Sequence, residues 1–192
     1  MSYTGKLEKW IRNVTVPPIL ALLMLTTLWI FRSDIYGGNT GFILSIVLLT
    51  ILPIAAYPLQ TVLPKWKNKG REGQRNLAMW MAVFGYILGI SYTLAFRATK
   101  ELLLVYLLYF FSGVLIFVFN KLFKIRASGH ACGVAGPIII LLYMMGWIAL
   151  VNLVILIVVY WASLNRKRHT LLELLLGSVL PVIAFILALL LI

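Results

Sequence analysis

His130 and His169 are the two histidines of the chain, and each sits where chemistry on a phosphate could be done. His130 lies in Lys124-Ile-Arg-Ala-Ser-Gly-His-Ala-Cys-Gly-Val-Ala-Gly-Pro137, a short polar turn that opens into a long apolar run. His169 closes a basic cluster, Asn165-Arg-Lys-Arg-His-Thr170, just before the last apolar run. Glu173 is four residues beyond His169, so on a helix the two share a face and the carboxylate can accept a proton from one ring nitrogen. The other nitrogen then keeps its lone pair and can attack phosphorus, splitting one hard displacement into two through a phosphohistidine. His130 is a candidate to protonate the departing oxygen. Ser128 and Gly129 would open a helix, where a hydroxyl, backbone N–H groups and the positive end of the helix dipole converge on a phosphate oxygen. Arg71, Arg75, Arg126, Arg166 and Arg168 are the cations available to neutralise charge on the transferred group.

Each feature has a plainer reading. Ser128 and Gly129 suit an ordinary helix cap. Arg166, Lys167 and Arg168 suit the end of a helix anchored among headgroups. Glu173 could pair with Arg166 instead of orienting His169, and Arg71 and Arg75 could simply contact lipid phosphate from the start of a helix. What favours a site is the combination, because both histidines and the three largest basic groups fall on one expected face.

The elements that must position these residues follow from composition. A chain of 192 residues that is 62% hydrophobic and 11% charged, with a mean hydropathy of +1.02, is not an ordinary water-soluble domain. Its apolar runs can cross about 30 Å of hydrocarbon at about 1.5 Å per helical residue, and they lack the sustained alternation of a barrel. The expectation is an all-α polytopic membrane bundle of about seven transmembrane helices, forming one domain over 1–192. The spans are read at 15–30, 41–63 (bent at Pro53 and Pro58), 77–96, 102–123 and 170–192, with two more sharing the run 131–164 and meeting near Met145-Gly146-Trp147. The densest charge run, Lys65 to Arg75, separates the second span from the third.

The net charge of +12 would point to nucleic acid in a soluble protein, but these charges sit at span ends, where membrane lipids and topology account for them and no nucleic acid is expected. With seven crossings, an even number separates the amino terminus, the 65–75 loop, the 128–130 turn and the 166–169 turn, which therefore share one face. Fourteen of the seventeen Lys and Arg fall there, against Arg32, Arg97 and Lys100 on the other, so the site is expected on the cytoplasmic face of the cell membrane. A single cysteine, Cys132, excludes a disulfide within one chain. Residues 1–13 lack the layout of a cleaved signal peptide, so none is expected. Asn13-Val-Thr15 matches a glycosylation sequon whose place beside the first span makes use unexpected. Gly85, Gly89, Gly133 and Gly136 permit close helix packing within or between chains, which leaves the oligomeric state open.

Taken together, the motifs resemble those of the type 2 phosphatidic acid phosphatase superfamily, integral-membrane enzymes related to vanadium haloperoxidases, and in particular a divergent prokaryotic branch. The family's Pro-Ser-Gly-His reads Ala127-Ser128-Gly129-His130 here. Its third motif has an arginine six before a histidine and an aspartate four after; here His169 matches, Glu173 replaces the aspartate, and Ser163 stands at the arginine position. Its first motif, a lysine seven before Arg-Pro, is matched only loosely around Arg71 and Arg75. The resemblance covers about Lys65 to Leu180. It implies a six- to seven-helix lipid-phosphatase-like core over 65–180, with His169 as nucleophile, His130 as general acid and Glu173 as the orienting carboxylate. No metal and no cofactor is implied.

The function expected on that basis is metal-independent hydrolysis of a lipid phosphate or diphosphate, of glycerophospholipid or prenyl type. The alternatives are a lipid phosphotransferase with the same phosphohistidine and a catalytically silent protein that binds anionic lipid. A transporter would call for a charge deep within a span, and none is evident.

Overall fold

Backbone polar groups within long apolar runs can be satisfied by coiling, and among the described residues every regular element is a helix. The computed structural model describes residues 3–192, apart from the side chains of residues 3–5, 9 and 12. In chain order the helices are α1 (Tyr3–Val14), α2 (Pro17–Phe31), α3 (Asn39–Ile46), α4 (Leu52–Val62), α5 (Pro64–Lys67), α6 (Gly70–Ala95), α7 (Lys100–Phe117), α8 (Gly129–Met145), α9 (Leu153–Asn165) and α10 (Leu171–Leu189). Five helical stretches, 39–62, 70–95, 100–122, 129–165 and 171–189, are long and apolar enough to cross a membrane, and α2 is apolar but shorter. Large side chains such as Ile30, Trp80, Ile148 and Ile157 are exposed, a surface suited to lipid, as in an integral membrane protein.

The 37-residue stretch 129–165 is not one rod. Gly146 has φ +72°, which ends α8, and a 3₁₀ segment over Gly146–Asn152 turns the chain. Val159 of α9 then packs with Val134 and Ile138 of α8, so the chain has doubled back as the sequence predicts. Between α3 and α4 lies a π turn, Val47–Ile51, immediately before Pro53. That proline has no N–H to give to Leu49, and a widened turn absorbs the missing bond.

α8 and α7 are the most buried of the long helices, and α10 packs against both. Tyr106 of α7, fully buried, shares a hydrogen bond of 3.0 Å with Ser45 of α3. α6 is reached through a loop held by Gln60, whose Nε2 donates to the carbonyls of Trp66 (3.2 Å) and Gly70 (2.7 Å). It begins at Gly70, about seven residues before the span read from hydropathy, because polar residues carry the helix on outside the apolar stretch. α1, which hydropathy alone does not reveal, is amphipathic. Leu7, Trp10 and Val14 form an exposed stripe, Glu8 is buried, and the helix lies on α9.

The two ends of the bundle differ. Arg32, at the end of α2, pairs with Asp34 at 2.9 Å and donates to the Met144 carbonyl at the end of α8 at 3.0 Å. Its hydrogen bonds hold the Asp34 carboxyl below the ordinary carboxylate value. Thr99 donates to the Ile35 carbonyl and Lys100 to that of Ile192, so Arg32 and Lys100 share this end. The histidines lie at the other.

Small residues set helix spacing where lipid provides no hydrophobic drive. A Cβ on Gly85 would lie 2.5 Å from the Leu48 carbonyl oxygen, whereas one on Gly113 would make only an ordinary 3.7 Å contact. Gly85→Ala is therefore expected to lower the detergent unfolding midpoint, by the equivalent of about 1–3 kcal/mol, with Gly113→Ala close to neutral. Equal midpoints for both variants would show that α6 does not meet the π turn as described.

Candidate active site at the starts of α8 and α10

Thr170 caps α10, its Oγ1 accepting from the Glu173 N–H at 3.3 Å in the Thr-x-x-Glu pattern. The Glu173 carboxylate closes the reciprocal half of that box by accepting from the Thr170 backbone N–H. It also reaches back one turn to His169, with Oε2 at 2.6 Å from Nδ1, and its other oxygen lies 3.7 Å from Nη1 of Arg126. An ionised carboxylate only accepts, so Nδ1 carries the proton toward it and the lone pair of a neutral ring is left on Nε2.

The turn before His169 brings cations alongside. α9 ends as Lys167 takes φ +49°, with the Lys167 N–H on the Leu164 carbonyl (2.8 Å) and the Arg168 N–H on the Ser163 carbonyl (3.2 Å). A cleft of about 300 Å³ opens here, lined by Arg126, Leu164, Lys167, Arg168, His169, Thr170 and Glu173. The two ends of the doubled-back chain, Arg126 before α8 and Leu164, Lys167, Arg168 and His169 at and beyond the end of α9, thus line one cleft.

The turn before α8 is fastened to α10 through the backbone. Ser128 N–H donates to the Glu173 carbonyl at 2.9 Å, and a Cβ on Gly177 would lie 2.3 Å from the Ser128 oxygen. Asn120, near the end of the α7 stretch, holds the same turn from the other side. Its Oδ1 accepts from Ala127 N–H (2.9 Å), and its Nδ2 donates to the carbonyls of Ala127 (3.1 Å) and Ile116 (3.0 Å). Ser128 is fully buried and its Oγ caps the Ala131 N–H at 3.2 Å, while Gly129 is exposed with nothing within 4 Å of where a Cβ would be. His130 follows in the first turn of α8, with Nε2 at 2.9 Å from Thr15 Oγ1.

The structure therefore gathers His169, Glu173, Arg126 and Arg168 around one cleft, with Lys167 added. Ser128 and Gly129 adjoin it through the bond to Glu173, with the serine hydroxyl engaged as a cap. Ser128, Gly129 and His130 do not line the cleft. Nor do Arg166, half-buried, or Arg71 and Arg75, exposed on the first turns of α6. Of the two partners open to Glu173, it takes His169, and Arg126 rather than Arg166 is the arginine beside it. Ser163 is buried within α9, and the cleft's cations come from the turns instead.

Sequence reasoning passed over Asn120 and the contact made by Thr15. The first had a readable signal, an amide within the apolar run Phe117-Val-Phe-Asn-Lys-Leu-Phe123; the second joins residues 115 apart and had none. No protein-family model matches this chain, and no match is found among the curated proteins or the solved structures.

Replacing Asn120 by Ala leaves the Ala127 amide and carbonyl without these partners, at a cost of about 1–3 kcal/mol. Faster hydrogen exchange at the Ala127 and Ser128 amides is the expected result in Asn120→Ala. Unchanged protection at both would mean that the amide does not hold the turn.

Proposed function

We propose that this protein is a lipid phosphatase that works without a metal, cleaving a lipid phosphate or diphosphate through a phosphohistidine at His169. The observation that carries this reading is the His169–Glu173 bond of 2.6 Å at a cleft walled by Arg126, Lys167 and Arg168. In the first step Nε2 of His169 attacks phosphorus, a P–N bond forms, and the P–O bond to the lipid alcohol or lipid phosphate breaks. The departing oxygen takes a proton from His130, in the first turn of α8. Water then attacks the phosphohistidine, His130 accepts its proton, and phosphate leaves as His169 is restored. Glu173 steadies the ring as positive charge develops on it, and the cations offset the charge on the transferred group.

A lipid substrate fits the surroundings of the cleft. Leu164 in its wall is continuous with exposed Trp161 and Ile157 on α9, and exposed Leu171, Leu172 and Leu175 flank it on α10. A headgroup at His169 would leave its tail along this apolar surface. We also infer seven crossings, with α2, α8 and α9 as separate spans, and the basic end in the cytoplasm. The reversal between α8 and α9 and the grouping of Arg32 and Lys100 at the opposite end support that topology.

Phosphate release from a panel of detergent-dispersed lipid monophosphates and diphosphates, measured with a chelator present, tests the reading. His169→Ala is expected to lose activity altogether, and Glu173→Gln to lose about 10²-fold or more in kcat. Wild-type release that persists in His169→Ala would remove the phosphohistidine, and no release from any substrate by folded protein would remove the phosphatase.

A further inference from the structure

Thr15 is the last residue of the Asn13-Val-Thr15 triplet, and the phosphatase reading gives it no part. Its position is unusually well fixed. The Thr15 N–H and Oγ1 both bond the Ile11 carbonyl, at 2.9 and 2.8 Å, which anchors it to the end of α1. Val16 is extended, as the residue before a proline tends to be, and Pro17 opens α2. One helical turn below His130, Gly133 meets that same proline so closely that a Cβ would lie 2.4 Å from Pro17 Cγ. The α1–α2 corner is thus wedged against the first turns of α8, with Thr15 Oγ1 at 2.9 Å from His130 Nε2.

The direction of the hydrogen bonds follows from valence. A carbonyl oxygen cannot donate, so the contact from Thr15 Oγ1 to Ile11 must hold the hydroxyl proton. The threonine oxygen then has only lone pairs for His130, and Nε2 must be the donor. We infer that Thr15 is a positioning residue of His130, favouring the neutral tautomer with the proton on Nε2. The pairing parallels that of Glu173 with His169, with a neutral hydroxyl in place of a carboxylate. A hydroxyl orients the ring without adding a charge beside it. The catalytic consequence rests on the phosphatase reading; the tautomer does not.

With two histidines in the chain, His169→Asn leaves His130 as the sole imidazole, and its ¹⁵N spectrum at a pH where the ring is neutral reports the tautomer directly. The expected spectrum has Nε2 protonated, the preference being lost on adding Thr15→Val and kept on adding Thr15→Ser. In the chain with both histidines, Thr15→Val is expected to lower kcat about tenfold or more, a part of the 10²–10⁴-fold that a general acid supplies, with KM little changed and Thr15→Ser restoring the rate. A proton on Nδ1, or a tautomer indifferent to Thr15→Val, overturns the assignment. So does an unaltered kcat in Thr15→Val where His130→Ala is inactive. If wild type releases no phosphate, the phosphatase reading fails, and the spectra still decide whether Thr15 sets the tautomer.

Discussion

The basic end of the bundle depends on one close approach, that of the Ser128 backbone to Gly177. Only a residue without a side chain lets the turn before α8 come near enough for Ser128 N–H to reach the Glu173 carbonyl. Glu173 therefore serves two purposes with two different groups. Its main-chain oxygen holds the start of α8, and its carboxylate holds His169. The histidine's height relative to α8 is set by one turn of α10, with no flexible side chain in the path. Tyr160 of α9, hydrogen-bonded to Ser178 at 2.8 Å, ties the third helix of the group beside the same glycine.

Charge and hydrocarbon are sorted around that approach. The cleft combines cations from two turns with Leu164, beside the exposed apolar residues of α9 and α10. The cations come from turns because a turn can carry Arg126, Lys167 and Arg168 outward without burying them. A helix position such as Ser163, packed against its neighbours, could hold an arginine only by desolvating it.

The sequence made the apolar helices, the reversal at Gly146 and the His169–Glu173 spacing legible, because each rests on local periodicity or on a residue type with one strong preference. Hydropathy located where helices enter an apolar medium, not where they begin, so α6 starts well before its span and Arg71 and Arg75 ride on helix instead of loop. α1 escaped for a related reason: an amphipathic helix averages out to neither core nor solvent. Long-range choices were not legible. Nothing in the spacing told whether Glu173 would turn to His169 or Arg166, and Asn120 could be seen as a polar oddity but not as the clamp on Ala127. Ser128 was readable as either ligand or cap, and its hydroxyl is used as a cap.

α8 is pinned at both ends through main-chain oxygens, by Ser128 to Glu173 at the start and by Arg32 to Met144 at the finish. Near its middle Pro137 cannot give an N–H to the Gly133 carbonyl, so one rung of the helix is missing. In mechanical terms α8 is a strut with fixed feet and a single compliant joint. Bending of α8 is easiest at that joint, while its first turn, which carries His130, stays tied to α10.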